Sequence, residues 1–115
     1  MKPGAQKAWT VLGNLDASTV TGYTTVFEAI VPSDFEGKLE EISLFSSRPD
    51  TTQWALAIVE QVQFADKKIY GSLTLHYAGL TVLTNQKILL VAKTDGTATD
   101  IAGSLSGQLH YLGEE

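Results

Sequence analysis

Two histidines are the first side chains in this sequence that could carry chemistry. His76 lies in "LTLHYAG" and His110 in "GQLHYLG", each followed by a tyrosine near the end of a predicted strand. Two neutral imidazoles could bind zinc, but a catalytic zinc site takes three protein ligands, and the chain has neither an HxH nor an HExxH motif. The sequence therefore predicts two histidines on half-exposed strand faces and no metal site.

The segment "GSLSG" (103–107) is the nearest approach to a serine nucleophile. A nucleophile elbow reads GxSxG and places its serine on a strained turn. Here Ser104 and Ser106 each lie directly beside a glycine, and the alternation of apolar and small polar residues continues straight through the segment. The pattern predicts a strand whose core-facing residues are Ile101, Leu105, Leu109 and Tyr111, with Gly103 and Gly107 leaving room for large neighbouring side chains.

Carboxylates are scattered along the chain. Glu40 and Glu41 are adjacent and would point to opposite faces of a strand, whereas Glu28 and Glu60 could pair in space as a glycosidase requires. The segment "DGTATD" (95–100) offers oxygen ligands of the kind that calcium takes, but a tight hairpin turn explains its Asp-Gly pair more simply. No catalytic residue, metal ligand or cofactor site is predicted.

Aromatic residues suggest a binding function instead. They could form a stacking platform for a sugar, or they could lie in the core or at a subunit interface. Tyr70 is the best exposed candidate because its side of the predicted strand also carries Ser72, Thr74 and His76. The aromatic residues considered for such a platform are Trp9, Trp54, Tyr23, Tyr70, Tyr77 and Tyr111.

Composition excludes several classes of partner. Of the 115 residues, 43% are hydrophobic and 18% charged, and the net charge of −5 comes with no basic cluster beyond Lys67-Lys68, so direct nucleic-acid binding is not expected. The longest apolar runs, residues 54–59 and 88–92, are far too short to span a membrane. The chain has no cysteine, and its first residues do not form a signal peptide. These features predict a soluble globular protein without membrane contact.

Strands must position these side chains, since thirteen threonines, many valines and isoleucines, and ten glycines favour strands and turns. We expect one domain over residues 1–115, with residues 1–7 as an N-terminal arm. Short polar connections at this spacing predict an all-β antiparallel sandwich or barrel. The expected strands are 8–12, 19–31, 38–47, 53–64, 69–77, 80–83, 87–93 and 98–112, the last two joined by a hairpin at "TDGT" (94–97).

The order of these segments resembles a known class of proteins. "VPSDFEGKL" (31–39) leads into a strand, "GLTVLTNQKILLVAKTDGT" (79–97) follows, and a glycine-spaced strand closes the chain. Over residues 26–110 this is similar to the small β-sandwich or single jelly-roll proteins of phage and archaeal-virus particles, which include capsid decoration, head-fibre and minor capsid proteins. The resemblance implies a jelly roll of about eight strands and a non-enzymatic structural role in a virion assembled in the host cytoplasm.

That role implies partners. "KILLVAK" (87–93), expected to be covered on both faces, and "LTLHYAGLTVL" (73–83) are more apolar than a two-layer sandwich requires, which favours a homo-oligomer interface or a central position in the sheets. The polar loops 46–53 and 94–100 would project outward and contact other virion or surface-assembly proteins. A carbohydrate- or ligand-binding module and an accessory domain of a surface assembly are the alternatives.

Overall fold

The computed structural model describes residues 5–69 and 72–113, which fold into eight strands in two four-stranded antiparallel sheets. One sheet has the order β1-β8-β3-β6 and the other has the order β2-β7-β4-β5. The predicted all-β antiparallel sandwich is therefore confirmed. The strands are β1 (Gln6–Ser18), β2 (Thr24–Ile30), β3 (Phe35–Ser46), β4 (Gln53–Ile58), β5 (Gln61–Lys67), β6 (Leu73–Val82), β7 (Lys87–Lys93) and β8 (Thr99–Tyr111).

This strand order is that of a single jelly roll, as predicted. Consecutive strands alternate between the two sheets, and β4 and β5 alone are consecutive strands paired within one sheet. The connection at residues 94–98 accordingly crosses from β7 in one sheet to β8 in the other, so the hairpin predicted at "TDGT" is wrong. The Asp-Gly pair does form a turn, since Gly96 has a φ of 100° and the amide of Thr97 donates to Asp95 Oδ1 at 3.0 Å.

The core lies between the sheets and contains the predicted face of β8. Ile101, Leu105 and Leu109 are each no more than 3% exposed, whereas Tyr111 is half-buried at the end of the strand. Glycines make room for the largest core side chain on β1. Gly107 lies opposite Trp9 in the β1–β8 ladder, and a Cβ atom on Gly37 would lie 2.8 Å from the Trp9 ring.

β1 is longer than predicted. Residues 14–18 were expected to form a turn, but β1 continues to Ser18 and pairs with β8. Asn14 and Asp16 face solvent there, while Leu15 packs against the core, so polar residues occur without ending the strand. A register irregularity follows Leu15, and Asp100 Oδ1 accepts the amide of Ala17 at 2.8 Å. At the other end, β1 includes Gln6 and Lys7, while residues 1–4 of the expected arm lie outside the described residues.

The expected strand 53–64 is two strands, which corrects the prediction. β4 and β5 are joined by a tight turn in which Val59 has a φ of 51° and Glu60 a φ of 63°. Two-residue hairpin turns of this type favour Asn-Gly or Asp-Gly because L residues other than glycine are strained at positive φ. Val-Glu therefore gives no sequence signal for the turn.

Conversely, β6 (Leu73–Val82) joins into one strand the greater part of the expected strands 69–77 and 80–83. Gly79, at a φ of 67°, lies inside it, where β6 places three residues opposite the single residue Glu40 of β3. This bulge also overturns the expectation that Glu40 and Glu41 point to opposite faces. Neither is buried, and the residues on either side of them, Leu39 and Ile42, both reach the core.

β2 differs from the expected strand 19–31 at its start. It begins at Thr24, and its register with β7 shifts between Thr25 and Phe27, which leaves Val26 as an extra buried residue. β3 begins at Phe35, before the expected residue 38. The part of the chain described contains no helix long and apolar enough to cross a bilayer.

Candidate functional site

The space between the sheets is occupied by apolar side chains from both of them, so the surfaces available for function are the outer faces and the loop ends. The core includes Trp54, Leu39, Ile42, Leu56, Ile88, Leu90 and Leu105, each no more than 1% exposed. The outer faces of the two sheets differ in composition. On the outer face of β1-β8-β3-β6, the part where β1 and β8 pair carries the fewest charged side chains.

From Gln6 to Asn14 of β1 and from Ala102 to His110 of β8, the outward side chains form a surface without formal charge, which we call the neutral face. The exposed Asp16 and Asp100 lie one row beyond its end. The chain has 8 lysines and arginines and 13 aspartates and glutamates, and none of them is among the residues of the neutral face. Most are small or carry hydroxyl or amide groups. The facing residues are Gln6 and His110, Ala8 and Gln108, Thr10 and Ser106, Leu12 and Ser104, and Asn14 and Ala102.

A depression of about 480 Å³ crosses this sheet near Leu12. Leu12 on β1 is 76% exposed and Phe45 on β3 is 47% exposed, and β8 runs between them. The β8 residues in the depression, Ala102 and Ser104, are small and half-buried. The depression therefore has two raised apolar walls and a low floor. Ser43 on β3 adds a hydroxyl that lies 3.2 Å from that of Thr74 on β6.

Charged side chains on this sheet lie on β3 and at the ends of β1 and β8, where Lys7, Asp16 and Asp100 are exposed. Lys38 pairs with Glu36 at 3.3 Å, and His76 Nδ1 lies 3.9 Å from Glu41. His110 lies opposite Glu36 in the β3–β8 ladder, so the two predicted histidines lie beside different carboxylates. Among residues 5–69 and 72–113, no three His, Cys, Asp or Glu side chains are grouped to hold a metal ion.

The outer face of β2-β7-β4-β5 has an aliphatic centre. Leu89 and Val91 of β7 are half-buried there beside Ala55 and Ala57 of β4, and Val62 of β5 is 67% exposed. The prediction that "KILLVAK" is covered on both faces is therefore wrong for the single chain. One side of β7 is in the core, and the other is only half-buried.

Glu28 and Glu60 border one depression of about 490 Å³. Glu28 is on β2, and Glu60 is in the β4–β5 turn rather than in a strand. Lys87 Nζ lies 3.9 Å from Glu28 Oε2 on the same border, so one carboxylate of the pair already faces a cation.

The predicted loops 46–53 and 94–100 lie side by side at one end of the sandwich. The Ser47 amide donates to the carbonyl of Asp100 at 2.9 Å, and the Asp100 amide donates to Ser47 Oγ at 2.9 Å. The two aspartates considered for calcium bind different backbone amides, Asp95 that of Thr97 and Asp100 that of Ala17. The geometry does not bring their carboxylates to a common ligand.

The aromatic residues do not form one platform. Trp9 and Trp54 are 5% and 1% exposed, so both are core residues, and the expectation that they could stack on a sugar is wrong. Tyr77 packs against the core, and Tyr111 lies 5.5 Å from the Phe35 ring. Tyr70, the best exposed candidate, lies outside the described residues.

Tyr23 belongs to an exposed polar cluster instead. Its hydroxyl donates to Asp66 Oδ1 at 2.6 Å and accepts the Asp66 amide at 2.8 Å, while Lys93 Nζ lies 3.1 Å from Asp66 and 4.6 Å from the Tyr23 ring centre. The Tyr23 hydrogen bond and the nearby Lys93 ammonium hold the pKa of Asp66 below its ordinary value. Burial and the bond to Asp66 raise the pKa of Tyr23. The cluster links the β1–β2 loop to β5 and β7.

We expect Tyr23→Phe to raise the pKa of Asp66 towards its ordinary value, because the largest cause of its lowering is removed. A lowered carboxyl pKa stabilises the fold above the unfolded-state pKa, and this stabilisation is lost as pH falls through the folded-state pKa. The acid sensitivity contributed by Asp66, in the range below about pH 4, should therefore be smaller in the variant. Carboxyl NMR titration measures the shift directly. Tyr77→Phe is the control, and an unchanged Asp66 pKa in Tyr23→Phe would contradict the assignment.

Sequence reasoning missed the two residues that shape the depression. Leu12 lay at the end of a short expected strand, and its outward direction follows only when β1 is extended so that Thr10, Leu12 and Asn14 share one side. Phe45 could have been found from parity, because it alternates with Leu44 and Ser46, both of which are buried.

Comparison with known proteins finds similar folds and no family. No family model and no curated protein matches the chain. A chain of the cyanophage Pam1 capsid asymmetric unit is 16% identical, with 96% of this chain and 87% of that chain covered and a TM-score of 0.48.

Two further solved structures are similar to the same extent. A chain from the virus-like particle of extra small virus of the giant freshwater prawn Macrobrachium rosenbergii is 12% identical, covering 96% of this chain and 81% of its own, with a TM-score of 0.47. The crystal structure of FLHE is 13% identical, covering 94% and 98%, with a TM-score of 0.47. Capsid proteins are thus among the structures that this chain resembles. Because these identities and TM-scores are low, the jelly-roll assignment rests on the strand order of the chain itself.

Proposed function

We propose that this chain is a non-enzymatic structural protein of a virus particle, which acts by forming homo-oligomers and docking on other virion proteins. Jelly rolls of eight strands recur in capsid proteins and lectins, and the sequence pattern resembles small virion proteins of this fold. The filled interior supports a surface function rather than a ligand held between the sheets.

The observation that carries the proposal is the neutral face. A solvent-exposed sheet face in an acidic chain is normally populated by charged side chains, which keep proteins soluble and separate. Five paired rows of β1 and β8 instead present an uncharged, mostly small-residue surface, with an exposed leucine in the fourth row. Interfaces are depleted in charged residues at their centres, and these rows share that property.

Docking on other virion proteins is assigned to the loop end. Loops 46–53 and 94–100 are held together by a backbone hydrogen bond from Ser47 to Asp100 and a bond from the Asp100 amide to Ser47 Oγ. They present exposed polar and charged residues such as Arg48, Asp50 and Asp95. The geometry gives a partner a single polar surface rather than two independent loops.

The experiment that tests this function has two readouts. Sedimentation velocity of the purified full chain should show a concentration-dependent oligomer. Density-gradient fractions of a virus-producing culture, analysed by mass spectrometry, should contain the chain in the particle band. A chain that is monomeric at high concentration and absent from the particle band would contradict the proposal.

A further inference from the structure

We propose that the neutral face is where two copies of this chain pack together, sheet against sheet, with Leu12 of each copy filling the depression between Leu12 and Phe45 of the other. This inference rests on the proposed homo-oligomer and names the surface that forms it. It follows from three properties of the described residues, namely their charge, the shape of the surface they form and its area.

The charge distribution favours the neutral face over the other outer surfaces as the place where a second copy packs. Two identical chains of net charge −5 repel each other, and like charges that face each other across an interface oppose association. Glu36 and Glu41 lie on the β3 and β6 half of the sheet, and Glu28 lies on the opposite sheet. Packing along β1 and β8 keeps these carboxylates out of the five uncharged rows, and it places Asp16 and Asp100, one row beyond Asn14 and Ala102, at the border of the contact.

The shape of the neutral face is self-complementary. An exposed leucine stands immediately beside a depression with an apolar wall at Phe45 and a floor of Ala102 and Ser104. In a two-fold arrangement the same patch occurs on both copies, so each Leu12 can enter the other copy's depression. Facing sheets pack about 10 Å apart, and the small residues of β8 allow that approach.

The area is sufficient for a specific contact. The five rows of the neutral face span about 33 Å by about 10 Å, and the outward residues of β3 and β6 widen the face of the sheet to about 19 Å, or roughly 600 Å² of flat surface per copy. A stable interface buries about 800 Å² of accessible surface on each partner, and side-chain relief adds to the flat area. The neutral face alone would be too small, so the contact takes in the outward residues of β3 and β6 as well, where Glu36 is paired with Lys38 at 3.3 Å.

The test uses charge substitutions in the full chain with sedimentation velocity as the readout. Leu12→Asp should weaken self-association at least about a hundredfold, because it places two carboxylates inside a dry contact. Val62→Asp is the matched control, since Val62 is similarly exposed, at 67%, but lies on the other sheet, and it should leave association unchanged. Circular dichroism should show both variants folded.

A second measurement locates the contact without disrupting it. The chain has no cysteine, so Ser104→Cys introduces a single thiol in the floor of the depression. A short bis-maleimide should link two copies of this variant efficiently, and should not link copies of Gln63→Cys, whose thiol would lie on exposed β5.

The outcomes separate this inference from the proposed function. If the wild-type chain forms oligomers that Leu12→Asp leaves intact and Ser104→Cys does not cross-link, the contact lies elsewhere and this inference is overturned, while the structural role stands. If the wild-type chain is monomeric but present in the particle band, this inference is overturned while docking on the particle stands, and if it is also absent from the band, both are overturned. If a monomeric chain shows NMR shifts at Phe45 on addition of an oligosaccharide mixture, the depression is a sugar site and the second copy is excluded as its occupant.

Discussion

Gly13→Ala is expected to lower the free energy of unfolding by about 2–3 kcal/mol, at the upper end of overpacking costs. Gly13 lies on the inward side of β1, where a Cβ atom would meet the carbonyl oxygen of Val26 far inside van der Waals distance. Both groups are constrained, because Gly13 pairs with Gly103 in the β1–β8 ladder and Val26 is the extra residue of the β2 bulge. Neither strand can relax without shifting its sheet.

Urea denaturation followed by circular dichroism measures this effect. Gly22→Ala is the control, since nothing lies within 4 Å of the Cβ position at Gly22 and the residue is exposed. The control should match the wild type or be slightly more stable, because alanine reduces the freedom of the unfolded chain. A Gly13→Ala protein within about 0.5 kcal/mol of wild type would show that β1 and β2 do not approach as closely as described.

The contact between Gly13 and Val26 illustrates what a pattern in the sequence contains and what it lacks. Alternation is local, so it correctly placed Ile101, Leu105 and Leu109 on the inner side of an unbroken strand. The approach of β1 to β2 joins residues on different sheets and depends on a bulge. No local signal specifies it.

Turn-forming residues in the sequence predicted where the chain bends, but not which strands pair. Asp95-Gly96 does form a turn, but the strands that it joins lie in different sheets, because a turn sequence does not specify which neighbour a strand will pair with. The opposite error occurred at Val59-Glu60, where a real hairpin turn uses residues that favour extended structure. Both errors concern which strand lies next to which.

The candidate surface was predicted in part. The alternation that placed the inner residues of β8 also puts Ser104, Ser106 and Gln108 on its outer side, and that side is half of the neutral face. The other half could not be predicted, because β1 was expected to end at residue 12 and its pairing with β8 is non-local. Only the pairing of these first and last strands shows that their uncharged sides adjoin.

Trp54→Ala is expected to cost about 3–5 kcal/mol of folding stability, the range for truncating a large buried aromatic side chain. Trp54 is 1% exposed on β4, which lies between β7 and β5, and it shares its inward side with Leu56 and Ile58. The alternation of these three residues predicted a strand, and a core position was one of the alternatives that the sequence left open for Trp54. Domains of this size are stable by about 5–15 kcal/mol, so the loss is a large fraction of the total.

Trp54→Phe is the matched control because it keeps an aromatic ring in the core and loses only part of the volume. Its unfolding free energy should lie well above that of Trp54→Ala in urea denaturation monitored by circular dichroism. A sugar-stacking tryptophan would behave differently, since its truncation would abolish glycan-array binding and leave the unfolding midpoint unchanged. Because burial places the indole between the sheets, we expect loss of stability, and a wild-type midpoint in Trp54→Ala would contradict the core assignment.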